Sequence, residues 1–329
     1  MTPARRLFLL SLMFTMLLAM AAASRHAAAQ AFPARPVRLI VADAAGGAPD
    51  QLARIVAQKM SEGLGQQVIV DNKPGAGGAL GAEMAARAPA DGHTLLMTTT
   101  AIYAILPNLK KNLPFDPVRD FASLSRIATA SNVLVVNQAL PAASVGELVQ
   151  LARSRPGVLN YASAGIGTPA HLAGEMLNQL AGVKLTHIPY KGAAPALLDV
   201  IAGNAQLIIT SPIAAAAHLG EGRVRALATT GTERNPSLPQ LPTVADAVPG
   251  YEITQSWGIV APAGTPAPLL KVLTDEVVRV MSSPDVRERI AKTGAVPGTD
   301  AGSAFDAFMA RERKRLGEVV ARSGIVLAE

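Results

Sequence analysis

The stretch Ala42-Asp43-Ala44-Ala45-Gly46-Gly47-Ala48-Pro49-Asp50 joins the apolar run Val37-Arg38-Leu39-Ile40-Val41 to the helical pattern Gln51-Leu52-Ala53-Arg54-Ile55-Val56-Ala57-Gln58-Lys59-Met60. An apolar run that turns through a bare Gly-Gly into a helix is the unit of a parallel sheet covered by helices. In such sheets ligands bind beyond the carboxyl ends of the strands, where a loop feeds a helix N-terminus. That terminus carries unsatisfied N–H groups and a partial positive charge. Pro49 suits the first helical position, which puts the cap at Ala48, whose methyl accepts no hydrogen bond. The N–H groups are left for water or a ligand, and Gly46 and Gly47 let a ligand approach the backbone closely. Asp50, in the first turn, complements the dipole or caps the turn by itself. No Lys or Arg stands in the loop.

A second unit has the same grammar. Leu159-Asn160-Tyr161-Ala162 reads as a strand, Ser163-Ala164-Gly165-Ile166-Gly167 as a Gly-bearing loop, and Thr168-Pro169 as a cap followed by proline at the first helical position. Two such units facing each other would grip an anion with backbone N–H groups, the hydroxyls of Ser163 and Thr168, and water. Three further turns could line the same cleft: Thr98-Thr99-Thr100 and Thr210-Ser211-Pro212 with hydroxyls, and Pro189-Tyr190-Lys191-Gly192 with the one cation among these turns. A capping hydroxyl and a surface lysine are the plain alternatives for these three.

Working outward, short runs rich in Val, Ile and Leu alternate with amphipathic stretches, which predicts mostly parallel sheets flanked by helices. Strands are expected over 37–42, 67–71, 94–98, 133–136, 159–162, 185–188, 207–210, 225–229 and 253–261. Helices are expected over 49–64, 79–88, 144–154, 169–181, 194–203, 213–220, 266–281, 284–293 and 301–323. No low-complexity linker cuts the chain into consecutive domains, so two lobes should share it by crossing back and forth. The expected crossings lie at Ser131-Asn132 and at Val248-Pro249-Gly250-Tyr251. They divide the chain into one lobe of 32–132 plus 250–329 and another of 133–249. A hinge between two α/β lobes is an architecture that closes around a small ligand.

The bulk properties narrow the function. Arg5 and Arg6 precede an apolar run over 7–23, and Ala29-Gln30-Ala31 has the small-x-small pattern of a signal peptidase site, so 1–31 reads as an export signal with Phe32 as first mature residue. Arg5-Arg6-Leu7-Phe8-Leu9 also looks like a twin-arginine motif, which leaves both the Sec and the Tat route open. The whole chain has 30 basic and 24 acidic residues; without Arg5, Arg6 and Arg25 the formal charge falls from +6 to +3. With one Trp, four Tyr and seven Phe, and no basic stripe, nucleic-acid binding has little support. The absence of cysteine excludes disulfides, thiolate metal sites and cysteine nucleophiles. His93, His171, His187 and His218 lack ligand-pair spacing, so no metal is expected.

These residues together resemble the tripartite tricarboxylate transporter substrate-binding proteins, the Bug family of periplasmic receptors. The match is carried by Phe32-Pro33-x-x-Pro36, Gly46-Gly47-x-x-Asp50, Val70-x-Asn72-Lys73-Pro74-Gly75-Ala76-Gly77-Gly78 and Asp91-Gly92-His93-Thr94-Leu95-Leu96. It continues through Asn160-Tyr161-Ala162-Ser163-x-Gly165-x-Gly167-Thr168, His187-x-Pro189-Tyr190-Lys191-Gly192, Leu241-Pro242-Thr243-Val244 and Ser256-Trp257-x-x-x-Ala261-Pro262. The resemblance implies a two-lobed, type II-like periplasmic binding protein fold that closes on a small carboxylate and hands it to a membrane permease, working as a monomer without a cofactor. It implies that the carboxylate is pinched between 44–50, which holds Ala45, Gly46, Gly47 and Asp50, and 163–171, which holds Ser163, Gly165, Gly167, Thr168 and His171. The family usually has an aromatic and a proline where this chain has Asp43-Ala44-Ala45, and often an Asp where it has Thr210-Ser211. The second departure favours a ligand without a cation, such as a plain carboxylate; Asp43 pulls the other way if it faces the cleft.

Other classes fit less well. Gly165-Ile166-Gly167-Thr168-Pro169-Ala170 follows the dinucleotide-binding pattern, but the acid expected about twenty residues on is missing from Lys184-Leu185-Thr186-His187-Ile188. No Gly-x-Ser-x-Gly elbow occurs, so hydrolase chemistry is not indicated. A sensor whose loaded form docks on a signalling receptor would need the same closure as a transport receptor, and the sequence does not separate the two.

Overall fold

The computed structural model describes residues 32–235 and 238–323; the expected export signal lies outside them. The chain opens with β1 (Val37–Val41), whose residues are almost wholly buried, because β1 sits inside its sheet with neighbours on both edges and helices over its faces. It feeds α1 (Ala48–Leu64), which lays Leu52, Ala53, Val56, Ala57 and Met60 on the sheet and stops at Gly65 in the left-handed conformation. Then follow β2 (Val68–Asn72), α2 (Ala79–Ala86), β3 (Thr94–Thr99), a π-helical turn at Ala101–Ile105 running into α3 (Leu106–Leu109), and β4 (Phe121–Ser131). One residue later the chain enters a second sheet with β5 (Val133–Asn137), α4 (Val145–Ser154), β6 (Asn160–Ser163), α5 (Pro169–Ala181), β7 (Thr186–Pro189), α6 (Ala193–Ala202), β8 (Leu207–Thr210), α7 (Pro212–Gly220) and β9 (Val224–Thr229). It returns through β10 (Thr254–Pro262), α8 (Ala267–Ser282), α9 (Pro284–Ala291), β11 (Val296–Pro297) and α10 (Ser303–Ser323).

The first sheet has six strands in the order β11-β4-β10-β3-β1-β2, the second five in the order β7-β6-β8-β5-β9. The sheets are more mixed than the expected mostly parallel ones. Only β1 with β2 and β3, and β6 with β7 and β8, pair in parallel; β10 and β11 in one sheet and β5 in the other run against the remaining strands, so their pairings with β3, β4, β8 and β9 are antiparallel. The reversed strands β5 and β10 are the ones on which the chain enters the second sheet and returns to the first, reached by a crossing between sheets instead of the helical crossover that parallel neighbours need. The strand β4 was not expected from the sequence at all. Its residues Phe-Ala-Ser-Leu-Ser-Arg-Ile-Ala-Thr-Ala-Ser are too small and polar to read as a strand, yet β4 pairs with β10 from Phe121 to Ser131.

The crossing strands lie side by side. Thr254 pairs with Ser131, the Ile253 N–H donates to the Thr230 carbonyl, and the Asn132 N–H donates to Thr230 Oγ1 at 2.7 Å. Tyr251, almost fully buried, donates its hydroxyl to the Ala173 carbonyl on α5 at 2.8 Å. Among the described residues no helix is long and apolar enough to cross a membrane.

Candidate functional site

The loop after β1 starts α1 one residue earlier than the sequence suggests. Gly47, in extended conformation, is the N-cap, Ala48 opens the helix and Pro49 takes its second position; no side chain caps it. Asp50 is engaged within its own loop and helix. Its carboxylate turns back to accept the Gly46 N–H at 2.8 Å and to pair with Arg54 at 2.9 Å, bracing the loop from within. The Arg54 and backbone hydrogen bonds, outweighing burial, hold this carboxyl below its ordinary pKa.

Where the two sheets face each other lies a cavity of about 60 Å³, lined by Ala42, Asp43, Ala48, Pro49, Gly77, Thr99, Ala101, Asn132, Ala164, Thr168, Pro169, Ala170, Ala193, Ile209, Thr210, Ser211, Gln255 and Trp257. Four helix starts meet there: Ala48-Pro49 of α1, Thr168-Pro169 of α5, Ala193 of α6 and Ser211 before α7. Thr168 and Ser211 cap their own helices, at Oγ1 from His171 N and Oγ from Ala214 N. The starts of α1 and α6 have no such cap. The Ala193 N–H at the start of α6 donates instead to Asp43 Oδ1 at 3.3 Å, which leaves the first turn of α1 as the helix start suited to an anion, with no cation in the lining.

Asn132 supplies a further donor. It is 1% exposed, its Oδ1 accepts from Gln255 Nε2, and its Nδ2 has no hydrogen-bond partner among the described residues. A buried donor left unpaired costs on the order of 1–3 kcal/mol, so a site that keeps one is prepared for an acceptor. Thr99 and Thr210 bring hydroxyls from the ends of β3 and β8.

Of the residues expected from the sequence, Thr99, Thr168, Thr210 and Ser211 line this cavity. Ala45, Gly46 and Gly47 form the loop that carries its lining neighbours, with Ala45 and Gly46 exposed. Thr98 is buried within β3, opposite Gly258. Thr100 turns its hydroxyl to the Ser256 backbone, accepting from its N–H at 2.7 Å. Ser163 is fully buried and bonded to His187 Nε2 at 2.6 Å; Gly165 and Gly167 shape the loop, and the Gly167 N–H donates to His171 Nδ1 at 3.3 Å. His171 stacks on His187, which stacks on Tyr161, so His171 supports the loop from behind. Tyr190 points away, donating to Asp199 Oδ2 at 2.5 Å, and Lys191 is exposed. The sequence reading missed as site residues Asn132, between β4 and β5, Gln255 and Trp257 on β10, and Gly77, although Gly77 and Trp257 belong to the quoted motifs.

The two lobes touch around the cavity. Gln51 Nε2 donates to the Ile213 carbonyl at 3.4 Å, and the Ala193 N–H donates to Asp43 Oδ1 at 3.3 Å. Two glycines permit this approach. Gly77, at φ +67°, would place a Cβ 2.3 Å from the Ile166 carbonyl oxygen, and Gly192, at φ +131°, would place one 2.5 Å from Ala44 Cβ. Among the described residues no group of three or more His, Asp or Glu is placed to hold a metal ion.

Two α/β lobes joined by crossing strands, with helix starts converging on a cavity between the two sheets, define a solute-binding protein of the kind that closes on its ligand. Residues 52–325 match the tripartite tricarboxylate transporter family receptor, and the chain belongs to that family. It is 40% identical over 266 residues, 80% of this chain and 79% of the relative, to the UPF0065 protein in the tcbD-tcbE intergenic region of Pseudomonas sp. strain P51. Among solved structures it is similar to R. palustris Rpa4515 with adipate, at TM-score 0.87 and 35% identity, covering 90% of this chain and 99% of that one. It is also similar to MatC (Rpa3494) from Rhodopseudomonas palustris with bound malate, at TM-score 0.84 and 31% identity, covering 88% and 100%. The family and the two-lobed α/β fold expected from the sequence both hold, and the protein is a solute-binding receptor.

Proposed function

We propose that this receptor captures a small carboxylate-bearing solute between a lobe of 32–132 plus 250–329 and a lobe of 133–249, in the periplasm after loss of 1–31. It then delivers the solute to a tripartite tricarboxylate-type permease, acting as a monomer and without catalysing a reaction. The observation that carries this reading is the free Asn132 Nδ2 beside the uncapped start of α1, in a cavity whose lining has no cation. A carboxylate satisfies both, accepting from Asn132, a contact worth roughly 1.5–3 kcal/mol, and from the N–H groups of the first turn of α1, worth on the order of 1 kcal/mol. The adipate of the Rpa4515 structure and the malate bound to MatC belong to the same chemical class. In this reading the hydroxyls of Thr99 and Thr210 contact the solute, and the lobe contacts at Gln51 and Ala193 form as the cleft closes.

A thermal-shift panel of residues 32–329 against carboxylates, sugars and nicotinamide cofactors tests it, because a ligand that binds only the folded state raises the melting temperature. A rise with carboxylates alone is expected. A rise with NAD and none with acids would overturn the reading in favour of an enzyme.

A further inference from the structure

The geometry points to Asp43 as the residue that sets ligand choice: its free carboxylate oxygen, beside the uncapped start of α1, selects an acid bearing an ammonium group next to its carboxylate, an α-amino acid. This rests on the carboxylate reading above and narrows it. Asp43 is the only ionisable residue in the cavity lining. Its Oδ1 is already engaged, accepting the Ala44 N–H at 2.7 Å and the Ala193 N–H at 3.3 Å. None of these bonds reaches Oδ2, which lies 2.8 Å from where a Cβ on Gly47, the N-cap of α1, would stand.

An acceptor and an anion-binding helix start therefore lie side by side on one short loop. An α-amino acid carries its ammonium and carboxylate on adjacent carbons, so it can give the ammonium to Asp43 Oδ2 and the carboxylate to the α1 N–H groups and Asn132 Nδ2. A plain acid of the same length presents only negative charge to Asp43. With no Lys or Arg in the lining to offset it, the two like charges repel in a partly desolvated cavity, where such interactions are stronger than in water. Burial already raises the Asp43 pKa to about 6, which leaves it ionised at pH 8.

The test is calorimetric titration at pH 8 of residues 32–329 and of Asp43→Asn with matched pairs: L-aspartate against succinate, L-glutamate against glutarate, and L-alanine against propionate. The wild-type chain is expected to bind the amino member of a pair at least tenfold more tightly, and Asp43→Asn to reduce that ratio at least fivefold. A plain acid bound as tightly as its amino partner by the wild-type chain overturns this inference and leaves the carboxylate reading standing. So does an Asp43→Asn variant that melts like wild type and keeps the ratio. Binding of neither member of any pair overturns both.

Discussion

Asn132 and Asp43 show how single side chains give this cleft its chemistry. Neither belongs to a motif that proclaims a site. Asn132 is one polar residue between the crossing strands β4 and β5, and its Nδ2 is open to an acceptor only because the fold buries it without a partner among the described residues. The hydroxyls of Thr99 and Thr210 were legible because they follow apolar strands, where loops of α/β sheets place ligand contacts. Lys191, the one cation among the turns singled out, is exposed, as a lysine's strongly hydrated charge favours. Behind the second loop, His187 is pushed down to about 3, by burial first and by the stacked His171 second. The unfolded chain protonates this ring near 6.5, so between about 6.5 and 3 it binds a proton that the folded chain refuses. Stability from this ring is therefore full above about 6.5 and is lost as the pH falls. Asp43 runs the other way: its folded value of about 6 lies above the ordinary 3.8, so its contribution is full below 3.8 and is lost as pH rises past 6. We expect His187→Gln to show a smaller drop in melting temperature between pH 7.5 and pH 5 than wild type. Parallel pH profiles for the two proteins would remove His187 as an acid-labile group.

The helices were read well from the sequence because their starts and stops carry chemistry: Pro49, Thr168-Pro169 and Ser211-Pro212 at the beginnings, Gly65 and Gly182 at the ends. The strand β4 was not, because its small residues report the packing of neighbours and not an apolar alternation. Beside it, on β10, a Cβ on Gly258 would come within 2.2 Å of the Phe305 ring of α10, and Arg126 of β4 lies 4.4 Å over the Phe308 ring. The helix α5 depends on a similar close contact. A Cβ on Gly174 would stand 2.2 Å from the Tyr161 ring on β6, and that ring also donates to Glu175 Oε1 at 2.5 Å. Gly174→Ala would raise helix propensity by roughly 1 kcal/mol, but overpacking against an immobile ring costs about 1–3 kcal/mol. We expect Gly174→Ala to lower the melting temperature; a rise would show that Tyr161 can move aside and that α5 is not fixed by this contact.

Taken as one body, the protein places its cavity where no single segment could be seen to make it. The loops after β1, β3, β6 and β8 come from two sheets, and the crossing strands bring Asn132 and Gln255 to the floor between them. The sequence reading puts the crossings at Ser131-Asn132 and at Val248-Pro249-Gly250-Tyr251, but the contacts across the cleft depend on glycines at 77 and 192, whose need for close approach appears only when the lobes meet. The central claim is that a carboxylate sits in this cavity and accepts a hydrogen bond from Asn132. Its most direct test is a calorimetric titration of the tightest-binding acid into residues 32–329, Asn132→Ala and Lys191→Ala. Loss of a buried hydrogen bond to a charged group costs roughly 1.5–3 kcal/mol, which corresponds to a tenfold or greater rise in Kd for Asn132→Ala. Lys191→Ala should bind like wild type. An unchanged Kd for a folded Asn132→Ala, with a weakened Lys191→Ala, would contradict the account and move the ligand to the exposed lysine.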